Sequence, residues 1–335
     1  MAIDPIKTVA VLGAGAWGTA LAQVAASAGR RVMLWAREPE VVASVNERRE
    51  NELFLPGIAL HEGVVAVQSL SAAVGADLIL AAPPAQHMRA VLRDIASQLP
   101  ESPLIAACSK GVELGSLALM TDVLMEEVPS ARQAVLSGPG FAKDVARNLP
   151  TAVTLAAKSR DDAMAIADAI SMPTFRPYLS DDLTGAEIGG AVKNVIAIAC
   201  GVAEGREMGH GARAALITRG FAELMRLGVA MGARAETLSG LCGLGDLVLT
   251  CNSETSRNMS LGAELGRGRT MDEILGERRT VAEGAASAPA VMALAKRYGL
   301  DLPICGVVEA IVTGAMDVDA AIDDLLSRPI RSEGF

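Results

Sequence analysis

Residues 8–18 read TVAVLGAGAWG, and residues 19–29 continue TALAQVAASAG. The first part is an apolar run short enough for a buried strand, the second a small-residue helix, and between them stands Gly13-x-Gly15-x-x-Gly18. In that order each glycine has a physical role. Gly13 permits a tight turn, Gly15 lets backbone approach a pyrophosphate, and Gly18 allows helix to pack closely on strand, while the helix N-terminus presents free N–H groups to an anion. The stretch therefore predicts a strand–turn–helix unit that binds a dinucleotide, with Trp17 against the cofactor.

The next apolar run, RVMLWA at 31–36, ends in Arg37-Glu38, where such a fold reads the adenosine ribose. An acid there grips the ribose hydroxyls of NAD, and an arginine accepts the 2′-phosphate of NADP. Arg37 is read as the contact and Glu38 as the solvated start of a helix, so NADP is favoured and NAD stays open. Further apolar runs at 64–67, 77–84, 103–111 and 134–140 alternate with helical stretches, the pattern of a doubly wound parallel sheet. Pro83-Pro84, Lys110-Gly111 and Gly138-Pro139-Gly140 follow those runs, at the strand ends where ligands of such sheets bind. Lys110 comes directly after a strand and places its ammonium toward a negatively charged ligand.

Size and composition bound the rest. The 335 residues exceed what one core usually serves, and 51% of them are hydrophobic, enough for two cores. A net charge of −9 argues against a nucleic-acid binder. No apolar run reaches membrane-spanning length, and the N-terminus lacks a secretory pattern, so a cytosolic chain is expected. Cys108, Cys200, Cys242, Cys251 and Cys305 lie far apart, as reduced core residues do, and His61, His87 and His210 share no metal-ligand spacing. No structural metal is expected.

After TFRPYLSDD (174–182) the patterns turn helical, so the domains expected are residues 1–182, α/β, and residues 183–335, all-α. In the second half, GGAVKNVIAIACG (189–201) carries Lys193 and Asn194 among apolar residues. Burying an ammonium is unfavourable by several kcal/mol, roughly, without a partner. The lysine either snorkels to a helix edge or serves in an active-site wall with its pKa lowered. Asp246, in GLGDLVLTC, has the chemistry to hold such an amine. In SETSRNMSLG, Ser253, Thr255 or Ser256 caps a helix running to about Gly266, so that its first amides and Arg257 converge on an anion.

Together GAGAWGTA (13–20), SKGVE (109–113), SGPGFA (137–142), GGAVKNV (189–195), LGDLVLTC (244–251) and SRN (256–258) resemble the bacterial NAD(P)-dependent glycerol-3-phosphate dehydrogenases, over about residues 7–328. The resemblance implies a homodimer with its active site in a cleft between domains. It implies Lys193 as proton acceptor, Lys110, Asn194 and Asp246 around the reacting carbon, and Ser256, Arg257 and Asn258 near a substrate phosphate. Gly138 and Gly140 fall at substrate positions, and Trp17, Arg37, Lys110, Ala142, Arg257, Val281 and Glu283 at cofactor positions. Gly140 stands where relatives carry a hydroxyl residue, and His210, expected in an exposed loop, where they often carry an acid. The reaction implied is reduction of dihydroxyacetone phosphate to sn-glycerol 3-phosphate by a nicotinamide hydride. The alternative is a related two-domain dehydrogenase of another hydroxy acid or phosphorylated sugar.

Overall fold

A computed structural model of the chain describes residues 5–253, 255–277 and 282–329. It divides into two compact units, Met1–Lys110 with Ala118–Ala186, and Gly111–Leu117 with Glu187–Phe335.

The first unit alternates β1 (Thr8–Leu12), α1 (Ala16–Ser27), β2 (Arg31–Trp35), α2 (Pro39–Arg48), β3 (Val64–Val67), β4 (Leu78–Ala81), α3 (Met88–Ala96), β5 (Leu104–Ala107), α4 (Met120–Glu127), β6 (Arg132–Ser137), α5 (Ala142–Ala146), β7 (Thr151–Ala157), α6 (Arg160–Ile170) and β8 (Phe175–Ser180). The strands form one sheet in the order β3-β2-β1-β4-β5-β6-β7-β8. The order reverses between β1 and β4, the switch point at which such sheets open a binding crevice. β1 to β6 run parallel, so the segments after β1, β4, β5 and β6 share one rim. Val9, Val11, Leu34, Leu78, Leu80 and Leu104 on these strands are buried, and the Ala-rich α1 packs into the same core.

One expectation needs correcting. The sheet is mixed: β7, which the apolar runs above did not include, pairs antiparallel with β6, with Leu136 opposite Leu155. The β6–β7 connection carries only the five-residue α5, and the chain doubles back instead of making a full crossover. The longer α6 then restores a parallel pairing of β7 with β8.

The second unit is helical: α7 (Leu183–Gly205, which enters it at Glu187), α8 (Gly209–Ala230), α9 (Ala235–Leu238), a π-helical turn (Leu241–Gly245), α10 (Asp246–Cys251), α11 (Arg257–Gly266), α12 (Met271–Glu277), α13 (Glu283–Arg297), α14 (Pro303–Val312) and α15 (Val318–Leu326). α7 corrects the membrane reading: at 23 residues it is long and apolar enough to cross a bilayer, yet it is buried inside the protein. Its small residues explain why it is a core helix. A Cβ on Gly201 would stand 2.1 Å from Met259 O, and one on Gly262 2.0 Å from Ile198 O. The backbones of α7 and α11 therefore meet along a seam of glycines, with Gly205 and Gly266 continuing it. Asn194 and Ile198 precede the α7 glycines on that face, and Asn258 precedes Gly262 by one turn.

α8 meets α14 through Glu223, 1% exposed, whose carboxylate accepts from the Ile304 and Cys305 amides at 2.7 and 3.0 Å. Burial pushes this carboxyl above its ordinary range, and the Cys305 and Ile304 amides oppose that only in part. All five cysteines are buried free thiols. The Cys251 thiol is held well above its ordinary value by its hydrogen bond with Cys200 and by burial, which places the end of α10 against α7.

Candidate active site

The rim of the first unit assembles most of the expected cofactor residues. Gly13 (φ +107°) abuts the end of β4, where a Cβ would stand 2.9 Å from Ala82 O. A Cβ on Gly18 would lie 1.9 Å from Gly13 O, so the start of α1 is pressed onto the turn. Gly15, the N-cap of α1, has open space at its Cβ position and no side chain to cap the helix. A dinucleotide fits this arrangement, because a phosphate can approach Gly15 and meet the first amides of α1.

Trp17 lies beside the turn, its ring edge 3.6 Å from where a Cβ of Gly140 would be. The Lys110 ammonium stands 5.6 Å from the Trp17 ring centroid and donates to Gly138 O at 2.9 Å. Gly138 (φ +141°) is pressed against Val153 Cα, at 2.9 Å from a Cβ, a contact that only glycine allows. Ala142 opens α5, which packs on α1. Two buried side-chain atoms among the described residues lack a hydrogen-bond partner, Trp17 Nε1 and Ser137 Oγ, and both belong to residues of this rim. Ser137 carried no signal of its own in the sequence beyond its place before Gly138.

Arg37 lies two residues beyond β2 with its side chain 77% exposed and an ion pair to Glu38 Oε1 at 3.2 Å. Glu38 is not simply solvated: it is the N-cap residue of α2 and half-buried. Gly140 has Val145 Cγ2 and Thr151 Cγ2 at 3.3 and 3.4 Å from a Cβ, so a larger residue there would need small adjustments.

In the second unit, Lys193 is 6% exposed and Asp246 1%. The Lys193 ammonium donates to Asp246 Oδ1 at 2.5 Å and to Thr250 Oγ1 at 3.0 Å. Thr250 donates its own proton to Asp246 O at 2.6 Å, so its lone pairs face the lysine. Local backbone explains the pairing. A Cβ on Gly189 would be 2.4 Å from Cys242 O, so the π-helical turn lies directly on α7 and sets Asp246 beside Lys193, one turn further along. Thr250 escaped the sequence reading, although its place one helical turn after Asp246 was a usable sign.

Ser256 caps α11, its Oγ accepting from Met259 N at 3.3 Å, and the helix runs to Gly266 as expected. Arg257 is exposed in the first turn. Asn258 donates to Asn194 Oδ1 and accepts from Gly284 N, both at 2.9 Å. Glu283, half-buried, opens α13 next to Gly284. Val281 lies outside the described residues. His210 sits in the first turn of α8, not in a loop, exposed and bonded to Arg213 at 2.8 Å.

A glycine turn at the switch point of a largely parallel sheet, followed by a helical unit carrying a buried lysine–carboxylate pair, defines a dinucleotide-dependent oxidoreductase. Residues 8–163 match the model of the NAD-dependent glycerol-3-phosphate dehydrogenase N-terminus, and residues 182–323 that of its C-terminus. The glycerol-3-phosphate dehydrogenase [NAD(P)+] of Parvibaculum lavamentivorans is 60% identical over 98% of both chains, and that of Caulobacter vibrioides is 60% identical over 98% of this chain and 99% of its own. The crystal structure of glycerol-3-phosphate dehydrogenase from Coxiella burnetii superposes with a TM-score of 0.93 at 38% identity, over 96% of this chain and 99% of that one. The protein belongs to the NAD-dependent glycerol-3-phosphate dehydrogenase family.

Proposed function

We propose that the protein interconverts dihydroxyacetone phosphate and sn-glycerol 3-phosphate with Lys193 as the group that moves the proton. The observation that carries this is the Lys193 ammonium, held at 2.5 Å from Asp246 in an interior where an ammonium without a chemical task is hard to explain. When bound, the nicotinamide cofactor supplies the hydride. Charge then develops on the ketone oxygen, and Lys193 delivers a proton to it; in the oxidising direction the amine takes the hydroxyl proton. Asp246 and Thr250 orient the amine.

Arg257 and the capped N-terminus of α11 hold the substrate phosphate, using a non-reacting part of the substrate to position the carbonyl. Lys110 adds positive charge beside Trp17, and Gly138 and Gly140 offer backbone only. Gly13, Gly15 and Gly18 receive the dinucleotide, with Ala142 and Glu283 as further contacts. Arg37 favours the 2′-phosphate of NADPH over NADH. The product is a backbone precursor for glycerophospholipids, the working form is a homodimer, and the setting is the cytosol; light scattering of the purified protein reads the second.

Initial rates with dihydroxyacetone phosphate, followed at the reduced-nicotinamide absorbance with NADPH and NADH in turn, test substrate and cofactor together. Faster turnover of another hydroxy acid or sugar phosphate would overturn the reading.

A further inference from the structure

Between α2 and β3 the chain passes through residues 49–63 without a helix or a regular strand, and Asn51 in this segment is completely buried. A buried amide needs partners at both ends, and here backbone groups choose which end faces which way. The Phe54 N–H can only donate, and it donates to Asn51 Oδ1 at 3.1 Å. The NH2 end is thereby turned toward the glycine turn, where Nδ2 donates to Ala14 O and to Thr19 Oγ1, both at 2.8 Å. Thr19 Oγ1 in turn donates to the same Ala14 O at 3.3 Å.

The segment is fastened along one face of α1. One turn beyond Thr19, Gln23 Oε1 accepts from His61 N at 2.7 Å, while Leu55, Ile58 and Leu60 are buried in the core of the first unit. The hold on Ala14 decides what the glycine turn presents. In a trans peptide the C=O and the N–H point opposite ways. Asn51 and Thr19 are both buried, so Ala14 O faces inward and the Gly15 N–H faces outward, where a Cβ on Gly15 would meet nothing. Gly13 and Gly15 flank Ala14, and glycine takes positive and negative φ with similar ease, so the turn has little of its own to stop this peptide turning over. Turned over, it would set a carbonyl oxygen toward the phosphates in place of a donor.

We propose that Asn51 is a positioning residue for cofactor binding: by holding Ala14 O on the inner side of the turn, it keeps the Gly15 N–H toward the dinucleotide pyrophosphate. This rests on the reading of the glycine turn as the cofactor site given above.

The test is Asn51→Asp beside Gln23→Leu. In Asn51→Asp one carboxylate oxygen still accepts from Phe54 N–H, but the other meets Ala14 O with no proton between them, so the Ala14–Gly15 peptide turns over. Titrations of nucleotide fluorescence should show the dissociation constants of NADPH and NADH rising by the same factor, about ten- to a hundredfold, the effect of losing one hydrogen bond to a charged group. At saturating NADPH, kcat with dihydroxyacetone phosphate should stay close to that of the wild type. Gln23→Leu removes a buried hydrogen bond of the same segment without touching Ala14, so it should melt at a lower temperature with both dissociation constants unchanged. Normal affinity in Asn51→Asp, or an equal loss in Gln23→Leu, would overturn the proposal, and so would an effect on NADPH alone, which would place Asn51 at the 2′-phosphate. Should Asn51→Asp fold poorly, Asn51→Leu removes the donor without adding charge. Both dinucleotides should weaken alike in it, and normal affinity there refutes the role. Gly18→Ala distinguishes the two readings. Normal affinity in that variant rejects the turn as the cofactor site and the role of Asn51 with it, whereas weakened binding there beside normal binding in Asn51→Asp rejects the role of Asn51 alone.

Discussion

Replacing Lys193 by methionine separates its two roles, in stability and in chemistry. The ammonium and the Asp246 carboxylate are 6% and 1% exposed and 2.5 Å apart. Removing one member of such a pair leaves a charge stranded in the interior and destabilises by about 3–5 kcal/mol. In a unit of this size each kcal/mol lowers the melting temperature by roughly 2–4 °C, so Lys193→Met should melt about 6–20 °C lower. Adding Asp246→Leu removes the stranded charge, and replacement of both partners by apolar groups is often neutral or better. The double variant should accordingly regain most of the lost stability while turnover stays depressed by about 10²- to 10⁴-fold. Far-UV circular dichroism melts, beside initial rates with dihydroxyacetone phosphate, read both quantities. A double variant as unstable as the single one would refute the buried-pair argument, and near-normal turnover in either would refute the proton-transfer role.

Other outcomes follow from single contacts. Gly18→Ala puts a methyl group 1.9 Å from Gly13 O, so the glycine turn must shift; dinucleotide affinity by fluorescence titration should fall at least tenfold, and unchanged affinity would mean that the turn does not hold the cofactor. Arg37→Ala should raise the Michaelis constant for NADPH and leave that for NADH nearly unchanged, and an equal effect on both would remove Arg37 from 2′-phosphate recognition. Glu223 has a carboxyl pKa raised above its ordinary value, mainly by burial. Its folded state holds the proton more tightly, so its contribution to stability declines as pH rises from the ordinary carboxylate range through the raised value. Glu223→Gln should flatten that part of the melting-temperature profile, and an unaltered slope would show that another group sets it.

Much of the molecule was legible from short-range pattern. The strand, glycine turn and helix of residues 8–29 could be read because each element there is dictated by local sterics and hydrophobic period. A cap among Ser253, Thr255 and Ser256 and the end of α11 at Gly266 were readable for the same reason, while the fold selected Ser256. The antiparallel β7 was not, because strand direction depends on where a short connection lets the chain turn, and TAVTLAA has the same composition whichever way it pairs.

At the site the division is similar. Sequence alone marked Lys193, Asn194, Asp246, Arg257 and Asn258 as residue types whose burial or convergence calls for a reason. Tertiary structure alone decided that Lys193 meets both Asp246 and Thr250, that Glu223 caps a helix 81 residues away, and that Asn258 turns its carbonyl to Gly284. The first and last of those depend on close glycine contacts, Gly189 of α7 against the π-helical turn and Gly284 of α13 against Asn194, and the last also on a backbone N–H setting the sense of a chain of amides. Periodicity tells which face of a helix is buried, but not which partner waits there or which end of an amide it will meet.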